Sequence, residues 1–218
     1  MTNSVGSGRR VLLPTLELLS MSAWLLICIG VLRVKNPAEA ALAAVGVAIL
    51  VAVSMRRTGE RFAEVAMAPG SLKPALVRIA CVVLPALVIV LLVAAYLGSM
   101  HFPPPTRALA SLVQLVVFGS LQQYILLTFL YRRALEALGS DRLAMPLVAM
   151  LFSLFHWPNP LLVCVCFAAG LAACWIYKKG QNIPAIGIAH GVLTFCLYYG
   201  LPRDITHNLR VGPGFFAT

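Results

Sequence analysis

Long apolar runs recur along the chain with only short polar breaks between them. Crossing a hydrocarbon core of about 30 Å takes roughly 20 helical residues, and seven runs approach that length: 11–32, 38–55, 74–98, 108–131, 143–157, 160–177 and 182–201. Their Leu, Val and Ala positions lack the period-two alternation of a membrane β-barrel, so the pattern predicts helices. The fifth run is short. It stops at His156-Trp157-Pro158-Asn159-Pro160, where two prolines remove backbone donors and force a turn, which predicts a helix ending below the far surface, packed inside protein. The fold class that follows is all-α: a polytopic membrane helix bundle of about seven transmembrane helices. It divides into N-terminal anchor helices (1–107) with a cytoplasmic linker at 56–73, a core at 108–201, and a tail at 202–218, as one membrane domain.

Composition agrees with that reading. Of 218 residues 61% are apolar and 11% charged, and the mean hydropathy is +0.91, far from the balance of a soluble domain. The net charge of +10 sorts by loop. With the N-terminus inside, twelve cations (Arg9, Arg10, Arg56, Arg57, Arg61, Lys73, Arg78, Arg132, Arg133, Arg142, Lys178 and Lys179) fall on the cytoplasmic side. Five (Arg33, Lys35, Arg107, Arg203 and Arg210) fall outside. That asymmetry is topology and contact with membrane lipid, not nucleic-acid binding, and it predicts an outward C-terminus. MTNSVGSGRR ahead of the first run has the charged region of a signal sequence without a small-residue cleavage site, so it reads as an uncleaved anchor. All six cysteines lie within apolar runs, where soft packing is expected and no disulfide framework or metal spacing emerges. Residues 55–72 mix Arg and Glu with Phe62, Val65 and Met67, which fits either a short interfacial helix or a solvated loop.

Buried polar groups are costly in a membrane and tend to mark a working cavity. Here they are few: Glu17 in the first run, Gln114, Gln122 and Gln123 in the fourth, His156 closing the fifth, and His190 with Thr194 in the seventh. Gln114 and Glu17 lie about two turns from a span end, where a long side chain reaches interfacial water. Adjacent Gln122 and Gln123 point about 100° apart, so one can face a cavity while the other holds a neighbouring helix. His190 and Thr194, spaced i, i+4, share a helix face, as do Phe152 and His156. Counted from the cytoplasmic ends of their spans, Gln122 and His190 sit at similar depth, and His156 is a little deeper. Such a set is either a structural polar core or a reaction site.

Three stretches, LQQYILLTFLYRR (121–133), LFSLFHWPNP (151–160) and NIPAIGIAHGVLTF (182–195), resemble in order and spacing the motifs of the CPBP family of CAAX protease and bacteriocin-processing enzymes, also called Abi. Those motifs run Glu-Glu-x-x-x-Arg, Phe-x-x-x-His and His-x-x-x-Asn. Phe152, His156, Pro158, Asn159 and the Pro184-Ala185-Ile186 lead-in to His190 match; Tyr131-Arg132-Arg133 closes the first motif. The resemblance implies an intramembrane protease of a bacterial inner (plasma) membrane acting on transmembrane or C-terminal peptides, without a cofactor. In it a motif-one glutamate activates water while the histidines and asparagine orient that water and stabilise the oxyanion. Carried over, the site residues are Gln122, Gln123, His156, His190 and Thr194, with Tyr124, Phe152 and Asn159 binding.

Four positions depart from the motifs. Gln122 and Gln123 replace both glutamates, Leu127 the arginine, Thr194 the asparagine, and Thr128 stands where a glycine is common. An amide neither takes a proton from water nor returns it at physiological pH, and general acid–base catalysis is worth roughly 10²–10⁴ in rate. Only seven carboxylates exist (Glu17, Glu39, Glu60, Glu64, Glu136, Asp141 and Asp204), and none has an evident claim to the role. Losing two acids and an arginine together keeps a cavity neutral. Three readings stand: a protease using His156 or His190 as base; a pseudoprotease that binds a membrane peptide or protein tail in a chaperone, immunity or sorting role; and a small transporter. The absence of intramembrane charge and of an inverted repeat weighs against the last. Two neutral histidines with an amide are too few strong ligands to predict zinc.

Overall fold

The computed structural model describes residues 4–32 and 37–216; Arg33 and Lys35, two of the five outside cations, lie outside the described residues. Among those described there is no strand, and an isolated antiparallel bridge joins Met67 to Asn182. Six helices are long and apolar enough to cross a membrane. Of the seven runs, the fifth is the short one that its two prolines predict. That run forms a helix of 14 residues, Asp141–Leu154, about 21 Å long at 1.5 Å per residue, short of a hydrocarbon core. The fourth run extends instead, continuing through Leu138 as one apolar helical stretch of 34 residues.

The helices are α1 (Ser4–Ile27), α2 (Pro37–Thr58), α3 (Phe62–Ala66), α4 (Leu72–Tyr96), α5 (Pro105–Tyr124), α6 (Arg132–Leu138), α7 (Asp141–Leu154), α8 (Pro160–Lys179), α9 (Ile183–Gly200) and α10 (Arg203–Thr206). Wider π-helical turns follow α1 at Cys28–Leu32 and join α5 to α6 at Ile125–Tyr131. Short 3₁₀ turns close the described chain. The segment at 55–72 contains a short helix, α3, between turns. The chain divides into two compact units, residues 1–62, 126–171 and 211–218 in one, 63–125 and 172–210 in the other.

In the first unit, α1 and α2 form a hairpin whose contact is set by a glycine. A Cβ on Gly46 would fall among the ring atoms of Trp24, so only glycine admits the indole, whose Nε1 donates to the Ala43 carbonyl at 3.1 Å. α7 meets α8 in the same way: a Cβ on Gly170 would lie 3.0 Å from the Ala149 Cα. Gly139, at φ 64°, ends α6 in the left-handed conformation, its N–H bonded to the Leu135 carbonyl, the usual glycine stop.

In the second unit, α5 and α9 pack along Gly187 and Gly191, four residues apart on α9. A Cβ on Gly191 would lie 2.6 Å from the Val116 Cα, and one on Gly187 2.7 Å from the Ser120 Cα. The backbones touch, as small residues at i, i+4 allow in membranes. Asn182 caps α9, its Oδ1 accepting from Ala185 N at 3.0 Å, with Pro184 in the first turn, where its missing N–H costs nothing. The 65–71 segment is tied to the chain before α9: Tyr177 Oη donates to the Val65 carbonyl at 2.7 Å, Ala68 N–H to the Gln181 carbonyl at 2.8 Å, and Asn182 Nδ2 to Ser71 Oγ at 3.2 Å.

Candidate active site

In the second unit the close α5–α9 seam brings motif one against motif three. Gln123, 2% exposed, reaches His190, its Nε2 lying 2.9 Å from Nδ1 of the imidazole. An amide nitrogen can only donate, so Nδ1 accepts. The ring is pressed onto α5 because Gly119 has no side chain: a Cβ there would sit 2.8 Å from His190 Cδ2. Gln123 Oε1 is buried without a hydrogen-bond partner. Thr194, one turn along α9, donates its hydroxyl proton to the His190 carbonyl at 2.8 Å. Gln122 is half-buried, Tyr124 buried, and Gln114 exposed.

Motif two, in the first unit, fixes its histidine differently. His156 Nδ1 lies 2.7 Å from the Phe152 carbonyl of the preceding turn. A carbonyl oxygen only accepts, so Nδ1 carries the proton and the neutral ring keeps its lone pair on Nε2. Phe152, 4% exposed, meets the imidazole edge-on, the ring centroids 4.8 Å apart. Asn159 is fully buried and caps α8, its Oδ1 accepting from Leu162 N at 3.1 Å. Leu127, at the motif's arginine position, is fully buried, and Thr128 is nearly so.

The carboxylates are occupied elsewhere. In the first unit Glu17 of α1, Glu60 after α2 and Glu136 of α6 alternate with Arg57, Arg132 and Arg133. Arg57 grips Glu17 with two nitrogens, at 2.7 and 2.9 Å, and reaches Glu136 at 2.9 Å. Ser54 Oγ donates to Glu17 at 2.7 Å. Arg133, 1% exposed, bonds Glu60 at 2.5 Å, pairs with Glu136 and stands 3.6 Å from Glu17; Arg132 pairs with Glu60 as well. Burial pushes the Glu60 carboxyl up, but the hydrogen bond from Arg132 and the charges of Arg133 and Arg132 outweigh it and hold it below the ordinary carboxylate range. Glu17, Glu60 and Glu136 are each held by an arginine.

This cluster adds partners that the sequence alone did not assign: Glu17 is held by Arg57 and Ser54, and Arg57, Arg132 and Arg133 pair with carboxylates. The available signals were Glu17 itself, an acid inside an apolar run that needs a partner, and the i, i+3 spacing of Arg133 and Glu136. Among the described residues no three His, Cys, Asp or Glu side chains stand where they could share a metal ion.

Residues 107–196 match the family model described as Rce1-like, type II CAAX prenyl endopeptidase Rce1-like. All three motif stretches, 121–133, 151–160 and 182–195, fall within 107–196. No curated protein and no solved structure matches the chain.

Proposed function

We propose that the protein, whose residues 107–196 match the CAAX endopeptidase family model, is an intramembrane protease homologue that processes a membrane-borne or C-terminal peptide, with His156 as its proton acceptor. The observation that carries the reading is the bond from His156 Nδ1 to the Phe152 carbonyl, which leaves Nε2 with a lone pair. Water attacking the scissile carbonyl gives its proton to Nε2, and the imidazolium returns it to the leaving amine. In the second unit Gln122, Gln123 and His190 offer hydrogen-bond donors to a peptide, while Thr194, its proton given to the His190 carbonyl, offers only lone pairs. With a histidine instead of a glutamate as base, turnover requires the neutral imidazole and falls as the medium is acidified.

A second reading, a pseudoprotease that binds a peptide without cutting it, is favoured by the arginine pairing of Glu17, Glu60 and Glu136. One experiment separates the two. Purified protein is given a panel of prenylated and transmembrane peptides beside His156→Ala, His190→Ala and Gln122→Glu variants. Cleavage by the wild type that disappears in His156→Ala supports the protease. Cleavage by Gln122→Glu alone identifies the parent as a binding protein, and wild-type cleavage that survives His156→Ala removes that residue from the mechanism. The twelve-to-five division of cations supports a cytoplasmic N-terminus in a bacterial inner membrane.

A further inference from the structure

The Gln123 amide is turned so that its nitrogen faces His190 and its buried oxygen has no hydrogen-bond partner. The first half of that arrangement determines a proton. Because Nδ1 accepts from the amide, the neutral imidazole carries its hydrogen on Nε2 and donates from there. A glutamate at the same position would reverse this, since an ionised carboxylate only accepts and would draw the hydrogen to Nδ1. Gln and Glu at residue 123 therefore specify opposite tautomers of His190. The ring has little freedom to escape the choice, because it is wedged against Gly119, where even a methyl group would come within 2.8 Å of Cδ2.

The second half concerns Oε1. Buried acceptors are almost always satisfied, so one without a partner in a membrane seam is suited to receive a donor. Oε1 is uncharged, and the motif's arginine is replaced by the buried Leu127, so nothing in this helix segment complements a free carboxylate. An acceptor of this kind suits the N–H of a peptide group.

We propose that Gln123 is a positioning residue which holds His190 as an Nε2–H donor and offers Oε1 to one backbone N–H of a bound peptide. The ligand half rests on the peptide-handling reading above; the tautomer half stands without it.

The test begins with ¹⁵N-histidine-labelled full-length protein in lipid nanodiscs, with the His190 signals assigned from their loss in His190→Ala. The wild type is expected to show Nδ1 as pyridine-like and Nε2 as pyrrole-like, Gln123→Glu to exchange the two, and Gln123→Met to lose the preference. A wild-type ring protonated at Nδ1, or a pattern unmoved by either substitution, overturns the assignment. If Gln123→Glu fails to fold, the wild-type spectrum and Gln123→Met decide it. A prenylated C-terminal peptide is then N-methylated at one backbone nitrogen at a time. One position is expected to weaken wild-type binding roughly five- to tenfold, as loss of a single hydrogen bond does, and to have no effect on Gln123→Met. No sensitive position means that Oε1 holds a resident water, which overturns the ligand contact. A peptide that binds neither protein removes the peptide-handling reading and the ligand half together, while the tautomer is still read from the spectrum.

Discussion

The two polar clusters in this membrane protein have opposite characters. The Glu17–Arg57–Glu136–Arg133–Glu60–Arg132 ring consists of three full negative and three full positive charges, each held by an opposite neighbour. The Gln123–His190 pair, with Thr194 beside it, holds only dipoles. A buried charge survives when its partner is present and is severely destabilising when it is not. The ring gives each charge an opposite one, whereas Gln122, Gln123, Leu127 and Thr194 carry no charge at all. Both are solutions of the same electrostatic problem. They differ in what they offer afterwards: every charge of the ring faces an opposite one, with Arg133 Nε a buried donor that lacks a hydrogen bond, whereas the neutral pair keeps a buried acceptor, Gln123 Oε1, without one.

The ring is the easier of the two to break. Arg133→Met would leave Glu60 and Glu136 without their most buried partner, and removal of one member of a buried pair costs about 3–5 kcal/mol. Thermal unfolding in detergent should show a large loss that Arg133→Met combined with Glu60→Gln partly restores, because the second substitution neutralises a carboxylate that the first leaves without its partner. If Arg133→Met unfolds like the wild type, the ring contributes no stability. On the other cluster, Gly191→Val would drive a side chain into the Val116 backbone and part α5 from α9. Overpacking of this kind costs about 1–3 kcal/mol, and loss of the Gln123–His190 hydrogen bond in the imidazole spectrum should accompany it. Unaltered stability would mean that the seam is looser than its 2.6 Å approach implies.

What the sequence made legible follows from which interactions are local. Helices announced themselves through unbroken apolar runs, and the turn after Phe155 through two prolines, because each depends on neighbours in the chain. The spacing of His190 and Thr194 placed them on one face for the same reason. The fifth run was legible as the short one from its two prolines, and its helix ends at Leu154. The ring was missed because its members come from α1, α2, the turn after α2 and α6, and a loop cation looks alike whether it meets water or a buried glutamate. The bond from Gln123 to His190 joins residues 67 apart; only the Gly187–Gly191 spacing hinted that α9 presents a face for close packing.

Acid sharpens the comparison with less effect than either substitution. Glu60 has its carboxyl held below an ordinary value of 4.5, so in the folded state it favours the ionised form. Its contribution to stability is complete above the unfolded-state pKa and is lost as pH falls through the depressed folded value. Unfolding followed from pH 7 downward should therefore be level until about pH 4.5 and decline below it. In Glu60→Gln the decline should be shallower. Identical acid profiles for the two proteins would exclude Glu60 as a source of it.

Thr194 supplies the smallest expected effect and the closest test of the neutral cluster. It stands at the position of the motif's asparagine, a side chain with both a donor and an acceptor to aim across a cavity. Its hydroxyl proton is already given to the His190 carbonyl one turn back, a bond internal to α9 that a helix can forgo at a cost of about 0.5–1 kcal/mol. Thr194→Val keeps the shape and removes that bond, so unfolding should shift slightly, with the His190 tautomer unchanged. Thr194→Asn restores the motif's donor. If Thr194 has ceased to serve as the motif's donor, Asn should tighten peptide binding while Val leaves it unaltered. Binding that falls sharply in Thr194→Val would instead show that the hydroxyl oxygen, whose lone pairs the backbone bond leaves open, contacts the peptide directly.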